Sequence, residues 1–161
     1  MLIIRSIVKI SEVNFYIMSS IIKLRGKGVS RIINSKVMLS PLAGVTDKIF
    51  RKLVRKWAPE SLLFTEMINA TSLKHGYGTQ KIKQLELEKG PIGVQIFDNR
   101  PFAVSEAAKL AEDSGAFLID INMGCPVKKI SRKGGGSALI NDRLLAIELV
   151  KRVSNAVKVP V

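Results

Sequence analysis

Residues 91–121 read as strand, helix, strand, and that order constrains the fold more than any other stretch of the chain. Ile92, Val94 and Ile96 alternate with Gly93, Gln95 and Phe97, the two-residue period of a strand. Pro101 can open a helix because its missing N–H is one that a first turn leaves unpaired, and Gly115 can end it. Between them Ala103, Val104, Ala107, Ala108 and Ala111 form a helical stripe of small apolar residues. The apolar run 117–121 supplies the next strand. A helix that joins consecutive strands lets them run parallel, and parallel α/β architectures keep their ligand crevice at the carboxyl ends of the strands.

The same rhythm extends in both directions. Upstream, 37–41 and 61–67 read as strands, with a helix over 48–57 between them. That helix sets Ile49, Phe50, Leu53, Val54 and Trp57 on one face and Lys48, Arg51, Lys52, Arg55 and Lys56 on the other, with Thr46 or Asp47 as its cap. Glu66 and Asn69 fall at the ligand-side end of the second strand as supports. The polar, glycine-punctuated stretch 71–90 holds the only histidine, His75, and reads as surface loop. Downstream, Ser137 is expected to cap a long helix carrying Leu139, Ile140, Leu144, Ile147, Val150 and Val153. Two short strands joined through Gly26 and Gly28 precede all of this as a hairpin.

The chemistry is expected just past the strand at 117–121, where Asn122, Cys125 and Pro126 stand together before a basic, glycine-rich loop. A lone cysteine is more often a small buried hydrophobe than a catalyst. Here its surroundings argue for more: Gly124 admits a flat ligand close to the backbone, Pro126 fixes the turn, and Asn122 carries a donor and an acceptor suited to an amide or pyrimidine edge. The glycines at 134–136 match neither a P-loop nor a dinucleotide fingerprint. They form either a backbone nest for a phosphate, helped by Lys128, Lys129, Arg132 and Lys133, or a hinge that folds the loop back over the site.

The run Asp120-Ile121-Asn122-Met123-Gly124-Cys125-Pro126-Val127-Lys128-Lys129, followed by Arg132-Lys133-Gly134-Gly135-Gly136-Ser137-Ala138-Leu139, resembles the active-site strand and loop of the tRNA-dihydrouridine synthases. The resemblance implies an FMN-dependent (β/α)₈ barrel that reduces the C5–C6 bond of uridines in tRNA at the expense of NADPH. Carried over by position, Pro41, Leu42, Ala43 and Gln95 become flavin contacts. Asn122 holds the pyrimidine edge, and Cys125 is the acid that protonates C5 while hydride reaches C6 from the other face. An ordinary thiol is mostly protonated at neutral pH and can act as an acid without tuning. A base extruded from the RNA stack incurs an unstacking cost of about a few kcal/mol.

Charge agrees with a polyanionic partner. There are 26 Lys and Arg against 13 Asp and Glu, a formal net charge of +13. One cysteine and one histidine make neither an intramolecular disulfide nor a zinc site, which fits a reducing, cytoplasmic setting without a metal. Residues 1–18 read as an extra N-terminal segment with Met18 as a candidate start, and residues 19–161 as a truncated FMN-binding barrel domain. Arg5, Lys9 and Glu12 interrupt the apolar start, and the 10 uncharged residues at 13–22 fall short of the about 20 that a membrane helix needs.

A complete barrel of this type takes about 250 residues, so the expectation is α/β, the N-terminal half of a TIM (β/α)₈ barrel, with about four βα units. A fifth strand would be starting at Val159-Pro160-Val161. Open edges at both sides of such a wall invite self-association or a complementing chain. Two other functions compete: a non-catalytic RNA-binding fragment or remnant of a split gene, and a flavin-dependent dehydrogenase of free pyrimidines, for which so basic a chain has no use.

Overall fold

The computed structural model describes residues 22–161, so the expectations for the segment 1–18 lie outside the described residues. Strands β1 (Ile22–Arg25) and β2 (Ser30–Ile33) pair antiparallel, Ile22 opposite Ile33 and Arg25 opposite Ser30. Gly26 N donates to Val29 O at 2.8 Å, and Gly28 takes the left-handed conformation that the turn requires. The hairpin lies where the glycine pattern implied. A Cβ on Gly26 would stand 2.0 Å from Lys158 O, and Ile33 packs with Leu62 and Leu118, which open their strands. The Arg31 guanidinium sits 5.4 Å over the ring of Phe117. The hairpin therefore closes the amino ends of the sheet.

After it come β3 (Met38–Leu39), α1 (Lys48–Trp57), β4 (Leu62–Phe64), β5 (Ile68–Asn69), α2 (Ala70–Lys74), α3 (Thr79–Lys83), β6 (Ile92–Phe97), α4 (Pro101–Asp113), β7 (Leu118–Ile121), α5 (Lys128–Ser131) and α6 (Arg143–Ala156). Every pairing from β3 onward is parallel: β3 with β4, β4 and β5 with β6, β6 with β7. Ile119 N donates to Pro160 O at 2.9 Å, so the chain returns beside β7 as the start of the next strand. β4 and β5 both pair with β6 and act as two parts of one strand, so from β3 to the start of the next strand each strand lies beside its predecessor, the order of a barrel wall. The architecture is α/β with a parallel sheet, as expected.

Alternation along β6 and β7 decides what faces what. Ile92, Val94, Ile96 and Ile119 join Val104, Ala107, Ala108, Ala111, Leu149 and Val153 in one core under α4 and α6. On the opposite face the Phe64 ring lies against Gly93, where a Cβ would meet it at 2.5 Å. Among the described residues, no helix is long and apolar enough to cross a membrane.

Four expectations are corrected. The strand at 61–67 is interrupted: Phe64 faces Gly93 but Ile68 faces Ile96, four steps against three, so one extra residue bulges at 65–67 and pairing resumes to Asn69. The stretch 71–90 is not plain loop, because Leu73, Ile82 and Leu85 are buried and wind it into α2, α3 and a 3₁₀ turn at Gln84–Leu87. Ser137 caps no helix. It lies in a 3₁₀ turn, Gly136–Asn141, and Asp142 caps α6 by accepting from Leu145 N at 3.0 Å. That break shifts the helical phase, so Leu139, Leu149 and Val153 are buried while Ile140, Leu144, Ile147 and Val150 are exposed. Finally, α1 turns its apolar residues outward, Leu53 56% and Trp57 73% exposed, and buries Arg51.

Candidate active site

At the carboxyl end of β3 the chain closes a tight loop on itself. Thr46 is fully buried; its Oγ1 accepts from Leu42 N at 3.0 Å and donates to Leu42 O at 3.1 Å. Asp47 caps α1 by accepting from Phe50 N at 2.8 Å. Gly44 N donates to Glu66 Oε1 at 2.7 Å, which ties this loop to the end of the neighbouring strand, and Lys81 Nζ donates to the other oxygen at 2.7 Å. The Lys81 hydrogen bond, with help from Gly44, holds the Glu66 carboxyl below the usual range against its partial burial. Pro41 is left half-buried, and Leu42 and Ala43 are exposed on a loop that is fixed at three points.

Across β6 and β7 the structure brings three of the expected residues together. Asn122 Oδ1 accepts from Gly124 N at 3.2 Å and Cys125 N at 3.0 Å, so the side chain folds the cysteine loop around itself. Its Nδ2 donates to Gln95 Oε1 at 2.8 Å and lies 3.8 Å from Met67 Sδ. Gln95, 8% exposed, stands on the face turned away from the helices, and its Nε2 donates to Asp120 Oδ2 at 2.5 Å. The Cys125 carbonyl accepts from Ser137 N at 3.0 Å, and a Cβ on Gly136 would meet that oxygen at 2.6 Å. The glycines at 135–136 thus let the loop fold back against the cysteine turn. Cys125 itself is half-buried.

A second anchor lies at the end of β6. Asp98 accepts from Thr71 N at 3.0 Å, Asn99 N at 2.9 Å and Arg100 Nε at 2.9 Å. Burial alone would raise its carboxyl, but the hydrogen bonds from Arg100 and Thr71 outweigh it and hold the group below the usual range. Asn99 Nδ2 donates to Lys133 O at 2.6 Å and so links the loops after β6 and β7. Lys128, Lys129, Arg132 and Lys133 are exposed side chains on and just after α5; among the described residues none of them forms a salt bridge.

Asp98, Asn99 and Asp120 escaped the sequence reading. The signal for the first two was available: polar residues directly after a buried strand and before the proline that opens a helix. Among the described residues no group of three or more His, Cys, Asp or Glu could hold a metal. What the assembled groups can do is bind a carbonyl-bearing ring through spare amide N–H groups and offer it a thiol proton.

A family profile described as Dihydrouridine synthase (Dus) matches residues 38–161. A relative named "Probable tRNA-dihydrouridine synthase 1", from Synechocystis sp., is 47% identical over 132 residues, 82% of this chain and 37% of the relative. "tRNA-dihydrouridine synthase B" from Xanthomonas axonopodis pv. citri is 43% identical over 129 residues, 78% and 38% of the two chains, and its namesake from Vibrio parahaemolyticus 38% over 132, 80% and 40%. The chain therefore spans well under half the length of these curated relatives. With its sheet, its helices and its cysteine loop all inside the matched residues, the chain belongs to the dihydrouridine synthase family.

Proposed function

We propose that this chain carries the ring-binding wall of a tRNA-dihydrouridine synthase, which reduces the C5–C6 bond of uridines in tRNA with electrons from NADPH. The observation that carries the reading is the hydrogen-bonded run from Gln95 through Asn122 to Cys125 at the carboxyl ends of two adjacent parallel strands. FMN, when bound, supplies the hydride that adds to C6. The residues present fit its ring: Pro41, Leu42 and Ala43 offer a small, fixed, solvent-facing surface, and Gln95 keeps one amide N–H beyond the one given to Asp120.

The chain's own residues then have distinct tasks. Cys125 holds the proton destined for C5, and the turn around Asn122 fixes its backbone. Asn122 has both oxygen lone pairs taken by the loop, so it meets a pyrimidine edge through the N–H that faces Met67 Sδ, a weak acceptor that a ring carbonyl displaces. Lys128, Lys129, Arg132 and Lys133 meet the RNA backbone, in keeping with a net charge of +13. Strand edges open among the described residues can pair with further strands, and the setting is cytoplasmic. A non-catalytic RNA-binding fragment and a free-pyrimidine dehydrogenase draw on no observation here.

The test is the visible spectrum of the purified chain, with circular dichroism on the same sample, followed by dihydrouridine formation on unmodified tRNA and on free uracil. A stoichiometric flavin band and tRNA-dependent turnover are expected, with Cys125→Ala abolishing turnover while RNA binding persists. Wild-type rates in that variant would remove the acid role from Cys125. A folded, colourless protein that still binds tRNA would favour the fragment reading, and turnover of uracil alone would favour the dehydrogenase.

A further inference from the structure

We propose that Asp120 is a positioning residue: its carboxylate sets the direction of the Gln95 and Asn122 amides and, through them, the seat of Cys125. The inference rests on the reading of Cys125 as the reactive group. A primary amide has nearly the same shape either way round, so its partners must impose its direction. Here the run is anchored at both ends by groups of opposite kind. At one end the Gly124 and Cys125 N–H groups can only donate, and they take Asn122 Oδ1. At the other the Asp120 carboxylate accepts from Gln95 Nε2. Between the ends the two amides meet as Asn122 Nδ2 to Gln95 Oε1 at 2.8 Å, an arrangement with every contact matched donor to acceptor.

Register makes this arrangement local to the sheet. Asp120 stands directly opposite Gln95 on the neighbouring strand, and Asn122 is two residues further along the same face. Without the carboxylate, Gln95 is free to turn its amide and present N–H to N–H at Asn122. The cysteine turn then loses the support behind its one side-chain anchor. Asp120 acts only through these amides, so its effect should vanish when the Asn122 amide is gone.

Cys125 is the sole cysteine of the chain, so thiol alkylation reports on this position alone and needs neither flavin nor RNA. The rate of reaction with iodoacetamide would be measured for wild type, Asp120→Ala, Asp120→Asn, Asn122→Ala and the Asp120→Ala/Asn122→Ala double variant, with circular dichroism confirming the fold. Asp120→Ala should change the rate about three-fold or more, within the range for residues in one hydrogen-bonded network. Asp120→Asn, which keeps the shape and one acceptor, should fall between it and wild type and serves if the alanine variant does not fold. The double variant should match Asn122→Ala alone. An unchanged rate in Asp120→Ala and Asp120→Asn, or an Asp120 effect that persists in the Asn122→Ala background, would overturn the proposal. Either result leaves the tRNA reading to its own test, and a colourless protein leaves this one intact.

Discussion

Asp98 shows what a single buried carboxylate does for the ligand end of this sheet. Its side chain is 2% exposed and holds the first turn of α2 and the loop after β6 through backbone N–H groups. Its folded proton affinity lies below the unfolded value, so it stabilises the fold fully above about pH 3.9, and that stability is lost as pH falls through the folded value. Asp98→Asn should therefore melt lower than wild type at about pH 7, with the gap narrowing towards about pH 3. A gap of constant size in thermal melts would show that the charge is not its source. Two glycines of the cysteine loop make a sharper contrast. Gly136 is left-handed at φ 58 with the Cys125 carbonyl in the way, so Gly136→Ala should cost about 1–2 kcal/mol or more in urea unfolding. Gly124 has open space around it, and Gly124→Ala should stay within about 1 kcal/mol. The importance of the loop was legible from its composition. Which glycine is irreplaceable was not, because the obstacle at Gly136 is a carbonyl eleven residues away in sequence, brought close by the fold-back of the loop.

At the scale of elements, α1 carries the largest departure from its own sequence pattern. Its apolar spacing assigned Ile49, Leu53 and Trp57 to a buried face, yet Arg51 goes inside, giving its guanidinium to Glu88 as a bidentate pair and to Thr46 O at 2.6 Å. This one side chain joins the loop after β3 to the segment before β6. Breaking such a buried pair leaves a charge without its partner, so Arg51→Met should cost about 3–5 kcal/mol. Arg51→Met with Glu88→Leu should recover most of that loss, as apolar replacement of both partners often does. Urea midpoints of the three proteins decide it, and a double variant no more stable than the single one would show that Glu88 is not the reason for the cost. Helical periodicity could not reveal this arrangement, because it reports which residues share a face and not which face finds a partner. For α4 the two coincide: Val104, Ala107, Ala108 and Ala111 of its stripe are buried and Ala103 is half-buried.

Across the whole molecule, the apolar faces of the outermost helices stay uncovered: Ile49, Leu53 and Trp57 on α1, and Leu144, Ile147 and Val150 on α6. Exposed apolar patches favour association. The 161-residue chain should therefore scatter light as a species larger than its 17.7 kDa mass, and Leu53→Lys with Leu144→Lys should shift it towards monomer. A monomer in the unsubstituted chain would show that these faces do not pair with copies of themselves. The sequence by itself determined the α/β class, the alternation of the main strands and helices, and the hairpin, and it singled out the cysteine loop that we propose as the place of chemistry. These depend on short-range rules: period, caps, turns, and a motif contained in one run of residues. The tertiary structure alone decided that Asp120 stands opposite Gln95, that Asp98 and Asn99 tie α2 to the loops after β6 and β7, that Arg51 is buried, and that the last helix starts at a new phase after Asp142. Each of these depends on the register between strands or on what packs over a helix, and such contacts join residues far apart in the chain.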